Sequence, residues 1–101
     1  MYVTMNRFTI KPEFADAYVE VWKKADVAQK SMPGLKEFRF FRLDAKKEGY
    51  VLFSSYALWE TKEDFLAWTK SEHFRKSHAS GPENREMYVE RPQLECFDVL
   101  I

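Results

Sequence analysis

The chain has 101 residues, of which 46% are hydrophobic and 17% aromatic, enough for one domain with a real core. Its 16 acidic residues balance 16 basic residues, which excludes the basic surplus typical of proteins that bind nucleic acid or anionic membranes. The single cysteine, Cys96, excludes an internal disulfide framework and is typical of a reducing compartment. No stretch has the pattern of a signal peptide or a membrane span. We therefore expect a single cytoplasmic domain, residues 1–101, that binds neither nucleic acid nor membrane.

The beginning of the chain predicts a strand followed by an amphipathic helix. Residues 2–10 are rich in β-forming side chains and contain neither glycine nor proline. Pro12 suits a first helical turn, and apolar side chains then recur at spacings near three and four as far as Met32. Pro33 and Gly34 end this helix.

The middle of the chain predicts two strands and a second helix. Residues 35–43 and 50–58 have strand patterns, and the polar stretch between them is typical of a hairpin loop. Thr61 and Asp64 form a capping-box pattern, which predicts that a helix begins here.

The last third predicts a further helical segment, a loop and a strand. Ser71 is a candidate cap for a helical segment in which Phe74 and His78 share one face. Residues 80–93 are polar and contain glycine and proline, which indicates a mobile loop with little regular structure. Residues 94–101 are predicted to form the last strand.

The order βαββαβ predicts an α+β, ferredoxin-like fold, an antiparallel sheet with both helices on one face. Strand 50–58 is apolar on both faces, although the helices can cover only one of them. We expect the other face to pack against the sheet of a second copy, giving a homodimer. A monomer with an exposed aromatic face is the alternative.

Three residues are candidates for chemistry. His78 shares a helix face with Phe74, so its imidazole can point into an apolar space, as a proximal haem ligand does. His73 lies five residues earlier, a helical rotation of about 140° from His78, so the two cannot bind one metal together. Asn6 shares a strand face with apolar side chains, where an amide without a hydrogen bond costs about 1–3 kcal/mol. Trp68 completes the set, and each residue taken alone also fits a structural role.

Together these residues resemble the IsdG-type haem-degrading monooxygenases, a branch of the antibiotic-biosynthesis-type monooxygenases. The resemblance covers nearly the whole chain, through "MNRFTI", "MPGL", "LWETKEDFLAW" and "WTKSEHFRKSH". Its most specific part is a tryptophan ten residues before a histidine, combined with an asparagine in the first strand.

The resemblance implies a homodimer of the dimeric α/β-barrel type in which haem is both substrate and cofactor. The porphyrin would be opened and iron released, with O2 and an external electron donor, either a reductase or a small reductant. His78 would be the proximal iron ligand, Asn6 would hydrogen-bond oxygen on the distal side, and Trp68 would press the porphyrin out of plane. The other haem contacts would come from aromatic side chains, namely Trp22, Phe65 and Phe74.

Some positions depart from the family pattern. Trp22 stands where a phenylalanine is common, and Val21 and Ala25 occupy positions where some relatives carry basic residues. The haem propionates therefore have no assigned partner, and the candidates are Lys23, Lys24, Arg75, Lys76 and Arg85.

Two other functions stay open at this point. One is a cofactor-independent monooxygenase acting on a quinol or similar aromatic substrate, with His78 as the base. The other is a haem carrier or sensor, which would bind haem without degrading it.

Overall fold

The structure, a computed structural model, describes residues 1–29, 32–71 and 85–101, with the backbone alone for 25–29. The strands in this part of the chain are β1 (Tyr2–Ile10), β2 (Leu35–Arg42), β3 (Val51–Trp59) and β4 (Gln93–Asp98). The helices are α1 (Ala15–Gln29), which follows a 3₁₀ turn at Pro12–Phe14, and α2 (Lys62–Thr69). None of the described helices is both long and apolar enough to span a membrane.

The strands form one antiparallel sheet in the order β2-β3-β1-β4. Together with the order β1-α1-β2-β3-α2-β4 along the chain, this arrangement confirms the predicted ferredoxin-like fold. The bounds of β2 and β3 differ by one residue from those predicted. The last strand ends at Asp98, whereas the sequence predicted a strand up to the last residue.

A tight turn and a capped helix begin the second half of the fold. Gly34 has a φ of 81°, and its carbonyl accepts a 2.8 Å hydrogen bond from the backbone N–H of Glu60. The Thr61 hydroxyl oxygen accepts a 3.1 Å hydrogen bond from the backbone N–H of Asp64. This confirms that α2 begins where the capping-box pattern predicted.

The helices cover one face of the sheet, and the core on that face is divided into two clusters. In β1 the even-numbered residues point to this face, as their alternation predicted. One cluster lies at the α2 end and the other at the α1 end. Their buried members are Tyr2, Met32, Ala57, Trp59 and Phe65 in the first, and Phe8, Ile10, Tyr18 and Phe53 in the second.

The segment before β4 is attached to the end of β1, a contact that the sequence did not predict. Residues 80–93 were expected to be a mobile loop, but in the described part, 85–92, backbone hydrogen bonds of 2.8 Å tie Met87 and Val89 to the end of β1. Met87 and Tyr88 also pack against the α1-end cluster. The segment contains turns and one isolated bridge between Tyr88 and Ile10, so it has little regular structure, as predicted. The packing of Met87 and Tyr88 nevertheless anchors it to the rest of the fold, and its mobility stays a prediction. The start of the predicted loop, 80–84, lies outside the described residues.

The opposite face of the sheet, called the outer face below, carries apolar side chains that stay accessible in the single chain. Phe41 on β2 and Phe97 on β4 are each 45% exposed. Between them, on β3, Tyr56 lies with its ring centroid 6.2 Å from that of Phe41. This is the second apolar face that the alternation in β3 predicted.

Candidate functional site

A cavity of about 1020 Å³ separates the two core clusters. Side chains from the sheet, from both helices and from segment 85–92 line it. Protein interiors are normally close-packed, and a space of this size lies at the upper end for small-molecule sites. The core is therefore divided around a place that fits a large ligand.

The floor of the cavity contains a polar pair on the covered face of the sheet. Asn6 on β1 lies directly opposite Ser55 on β3, and both line the cavity. Ser55 is buried and Asn6 half-buried. Within the described part of the chain, the Asn6 amide makes no hydrogen bond. Its donor and acceptor are thus available to a ligand, which supports the ligand-binding interpretation of this residue over the structural one.

Trp68 forms the wall on the α2 side. It follows Phe65 by three residues, so both side chains project from one face of the helix. The ring centroid of Trp68 lies 5.9 Å from that of Trp59 and 6.3 Å from that of Phe65. Trp59 is itself held by a 3.1 Å hydrogen bond from its indole N–H to the Thr4 hydroxyl. The Trp68 indole therefore lines the cavity and is supported from behind by the rings of Trp59 and Phe65.

Trp22 forms the opposite wall, on α1. Its ring is stacked on Phe40, with centroids 4.8 Å apart and an interplanar angle of 16°, and on Phe38 at 5.9 Å and 17°. Phe8 lies at 5.3 Å on the sheet. A ring held on several sides has little freedom to move, so Trp22 contributes a rigid surface to the cavity.

A hydrogen bond between the buried Tyr18 and the half-buried Tyr88 attaches segment 85–92 to α1. The hydroxyl oxygens of Tyr18 and Tyr88 lie 3.0 Å apart, a hydrogen-bonding distance, and the two rings meet edge to face. Burial and, secondarily, the bond to Tyr88 raise the pKa of Tyr18 far above its ordinary value. Burial also raises the pKa of Tyr88, so both hydroxyls are neutral at physiological pH. Tyr88 lines the cavity, so this bond positions part of its wall.

The mouth of the cavity is rich in charge. Among the basic candidates from the sequence, Lys24 and Arg85 line the cavity. Lys23 does not, and its ammonium group pairs with the Glu20 carboxylate at 3.2 Å. The other two candidates, Arg75 and Lys76, lie outside the described residues.

The structure thus brings four of the predicted site residues to one cavity: Asn6, Trp22, Phe65 and Trp68. His78 and Phe74 lie outside the described residues, and the iron-ligand assignment stays a prediction. Among the described residues, no group of three or more His, Cys, Asp or Glu side chains could hold a metal ion.

Sequence reasoning missed several residues that line the cavity, namely Thr4, Ser55, Tyr88 and Arg91. For Tyr88 a signal existed, since Met87 and Tyr88 are large apolar side chains within an otherwise polar segment, and both pack against the core. Ser55 could be recognised only from the strand register that places it opposite Asn6.

The model of the family described as antibiotic biosynthesis monooxygenase matches residues 1–80. This chain belongs to that family. A relative from Staphylococcus haemolyticus, named heme oxygenase (staphylobilin-producing), is 30% identical over 78 residues, or 77% of this chain and 73% of that protein. A Shouchella clausii protein named heme-degrading monooxygenase is 54% identical over 41 residues, or 41% of this chain and 37% of its own length. These names bear out the resemblance to the IsdG-type branch.

Solved structures of the family confirm the fold. A Nitrosomonas europaea protein assigned provisionally to the antibiotic biosynthesis monooxygenases superimposes with a TM-score of 0.81, covering 100% of both chains at 18% identity. SnoaB, a cofactor-independent oxygenase from Streptomyces nogalater, gives a TM-score of 0.70 at 14% identity, covering 97% of this chain and 91% of its own. At such identities the likeness shows the shared architecture alone.

Proposed function

We propose that this protein is a haem-degrading monooxygenase that binds haem in the cavity and opens the porphyrin ring with release of iron. One observation carries the proposal: Asn6 and Trp68, far apart in the chain, line a single large cavity together with Trp22 and Phe65. The names of the haem-degrading relatives support it.

The described residues fit a haem molecule in size and polarity. The cavity of about 1020 Å³ is walled by flat aromatic rings, which suit a planar apolar macrocycle. Its floor provides an amide and a hydroxyl, from Asn6 and Ser55, which lie opposite each other on neighbouring strands. When bound, haem supplies the iron and the porphyrin carbon at which oxygen reacts. Electrons and O2 come from outside the chain.

Trp68 is proposed to act on the shape of the substrate. Its indole is backed by Trp59 and Phe65, so it cannot withdraw without disturbing the α2-end cluster. The side chains behind Trp68 are close-packed and resist displacement. A porphyrin in contact with the indole would therefore bend before these side chains move. Distortion of the macrocycle is one of the few means by which a protein tunes haem chemistry.

Asn6 is proposed to orient the reacting side of the site. Its amide can donate a hydrogen bond towards the centre of the cavity while the adjacent strands hold it in place. A donor held in a water-poor cavity stabilises developing negative charge more strongly than one in bulk water.

His78 is proposed to be the proximal iron ligand, as the resemblance implies. A neutral imidazole is a usual haem ligand, and a single one suffices on the proximal side. His73 provides a matched control because it is the other histidine of the chain and lies only five residues earlier in the sequence.

A haem titration followed by absorbance tests the proposal with wild type, His78→Ala and His73→Ala. We expect a Soret band that saturates near one haem per chain, that shifts or disappears in His78→Ala, and that His73→Ala retains. Addition of a reductant in air should then bleach the wild-type band. Saturation without bleaching would indicate a carrier or sensor, and the absence of any specific band would favour the quinol monooxygenase.

We also propose that the protein acts as a homodimer in which the outer faces of two sheets pack together. Phe41 and Phe97, each 45% exposed, are unusual on a surface that contacts only water. A two-fold contact would bury the same patch on both copies and leave the cavity, on the helix-covered face, open to ligand.

A further inference from the structure

We propose that segment 85–92, here called the strap, binds the carboxylate groups of the ligand at the mouth of the cavity through its two arginines, Arg85 and Arg91. The cavity then selects a planar, apolar molecule with carboxylates along one edge. For haem, which the proposed function makes the ligand, these groups are the two propionates.

The described residues that line the cavity carry more positive than negative charge. Lys24, Arg85 and Arg91 are cationic, and Glu90 is the one carboxylate among the described lining residues. The chain as a whole has 16 acidic and 16 basic residues, so this surplus is local. Within the described part of the chain, none of the three cations has an ion-pair partner. Unpaired positive charges around an apolar cavity attract an anionic group to its mouth.

The strap is held in place before any ligand binds. Tyr88 lies three residues from both Arg85 and Arg91 in the sequence. Its hydroxyl oxygen lies 3.0 Å from that of Tyr18, and the two hydroxyls form a hydrogen bond. Backbone hydrogen bonds of 2.8 Å on either side of Tyr88 tie the strap to the end of β1. Less ordering is then needed on binding, which favours affinity. Two of the three cations are arginines, whose planar guanidinium groups suit bidentate contact with carboxylates.

Among the described lining residues, those of the cavity interior offer no other partner for the carboxylates. Besides Asn6, Thr4 and Ser55, its sheet and helix walls are aromatic or aliphatic, apart from Lys24 at the rim. An ionised carboxylate without a cationic partner is costly in such surroundings. The ligand therefore enters with its apolar edge first, and its carboxylate edge faces the strap.

The experiment compares haem with its dimethyl ester, in which both propionates are neutral. Binding is followed through the Soret band and through quenching of tryptophan fluorescence, in wild type and in Arg85→Gln/Arg91→Gln. Lys46→Gln/Lys47→Gln removes the same charge from the exposed hairpin loop, away from the cavity, and serves as the control. All these side chains are exposed, so the core packing stays intact.

We expect the arginine variant to bind haem roughly tenfold more weakly than wild type, the effect of two partly exposed ion pairs. Its affinity for the ester should stay within about twofold of wild type, since no charge pair is lost. The lysine control should bind both compounds as wild type does. Glu90→Gln removes the opposing charge, and it should bind haem about twofold more tightly.

The two proposals fail in distinguishable ways. If wild type binds haem, and the arginine variant binds it equally well or loses haem and ester in equal measure, the strap proposal is overturned and the proposed function stands. If wild type binds neither compound, the proposed function is overturned as well.

Discussion

Asn6 sits in the floor of the cavity with its amide free among the described residues, and Ser55 lies beside it on β3. We expect Asn6→Ala to keep haem affinity within about threefold, because a single hydrogen bond contributes little to binding a large apolar ligand. The rate of Soret loss should fall about 10- to 100-fold, since a held donor acts mainly on the reacting state. Stopped-flow absorbance measures both. Ser54→Ala, on the outer face of the same sheet region, is the control, and a parallel loss of affinity in Asn6→Ala would contradict this role.

Trp68 is the residue whose size matters most in this account. Trp68→Phe keeps an aromatic contact with Trp59 but removes part of the bulk that faces the ligand. Haem should bind with similar affinity and lie flatter, so its out-of-plane resonance Raman bands should weaken and its degradation slow by about tenfold. Leu66→Ala, an exposed change on α2, should leave both readouts as in wild type. Unchanged Raman bands in Trp68→Phe would argue against distortion by this side chain.

Single residues were predictable where a simple period places them. Strand alternation placed Asn6 on one face with apolar side chains, and the structure shows that this face is the covered one. Ser55 and Arg91 were missed because their positions in the cavity depend on strand register and on the anchored strap. Strand register has no local signature in the sequence, and the apolar residues that anchor the strap do not show where Arg91 lies relative to the cavity.

At the scale of elements, the Tyr18–Tyr88 bond joins α1 to the strap. The unfolded chain ionises its tyrosines near pH 10, whereas burial keeps Tyr18 protonated in the folded state well above that pH. Its contribution is complete below pH 10, and the free energy of unfolding should then fall by up to about 1.4 kcal/mol per pH unit above pH 10. Urea unfolding between pH 8 and about pH 11.5 measures this dependence.

Tyr18→Phe tests whether Tyr18 causes the fall in stability above pH 10. The variant should be destabilised by about 1–2 kcal/mol at neutral pH, because the Tyr88 hydroxyl loses its partner. Its stability should decline less steeply than that of wild type above pH 10. Tyr50→Phe, next to the hairpin loop, controls for the number of tyrosines, and parallel curves for wild type and Tyr18→Phe would show that Tyr18 does not cause the decline.

The turn at Gly34 comes directly before β2, and in space it lies against Asp64 in the first turn of α2. A Cβ at this position would collide with the side chain of Asp64, and the φ of 81° is strained for other residues. Gly34→Ala should therefore destabilise the fold by more than about 2 kcal/mol. Gly49 has a similar φ of 85°, but a Cβ there would meet no other atom. Gly49→Ala therefore measures the cost of the backbone conformation alone, about 1 kcal/mol in the free energy of unfolding. If Gly34→Ala and Gly49→Ala lose the same stability in urea unfolding, the Asp64 side chain moves aside and its collision with the new Cβ costs nothing.

Most elements were predictable because strands and helices here follow clear periods with marked ends, such as Pro33-Gly34 and the Thr61 cap. Segment 85–92 was not, because its composition is that of a loop and its order depends on tertiary contacts of Tyr88. Composition describes the average behaviour of a segment, whereas one buried side chain can decide its position.

At the scale of the whole molecule, the outer face predicts self-association. Phe97→Asp places a charge within the apolar patch, where a desolvated carboxylate is strongly unfavourable. We expect wild type to sediment as a dimer and Phe97→Asp as a monomer at micromolar concentration. Leu66→Asp, an equally drastic change at an exposed apolar residue on α2, should remain dimeric. A monomeric wild type would refute the homodimer.

The fold of the whole chain followed from the order of its elements, since few topologies fit βαββαβ with one covered face. The division of the core into two clusters was not foreseeable from that order. It depends on how aromatic rings from α1, α2 and the strap meet above the sheet.

The central claim is that haem is consumed in this cavity, and the identity of the tetrapyrrole product tests it most directly. The wild-type complex with haem is given a reductant under ¹⁸O₂, and the product is analysed by mass spectrometry while a chelator records released iron. The account predicts a ring-opened tetrapyrrole that carries ¹⁸O, with iron released in step, and about 10- to 100-fold slower formation of both in Asn6→Ala. Intact porphyrin with its iron retained would contradict it.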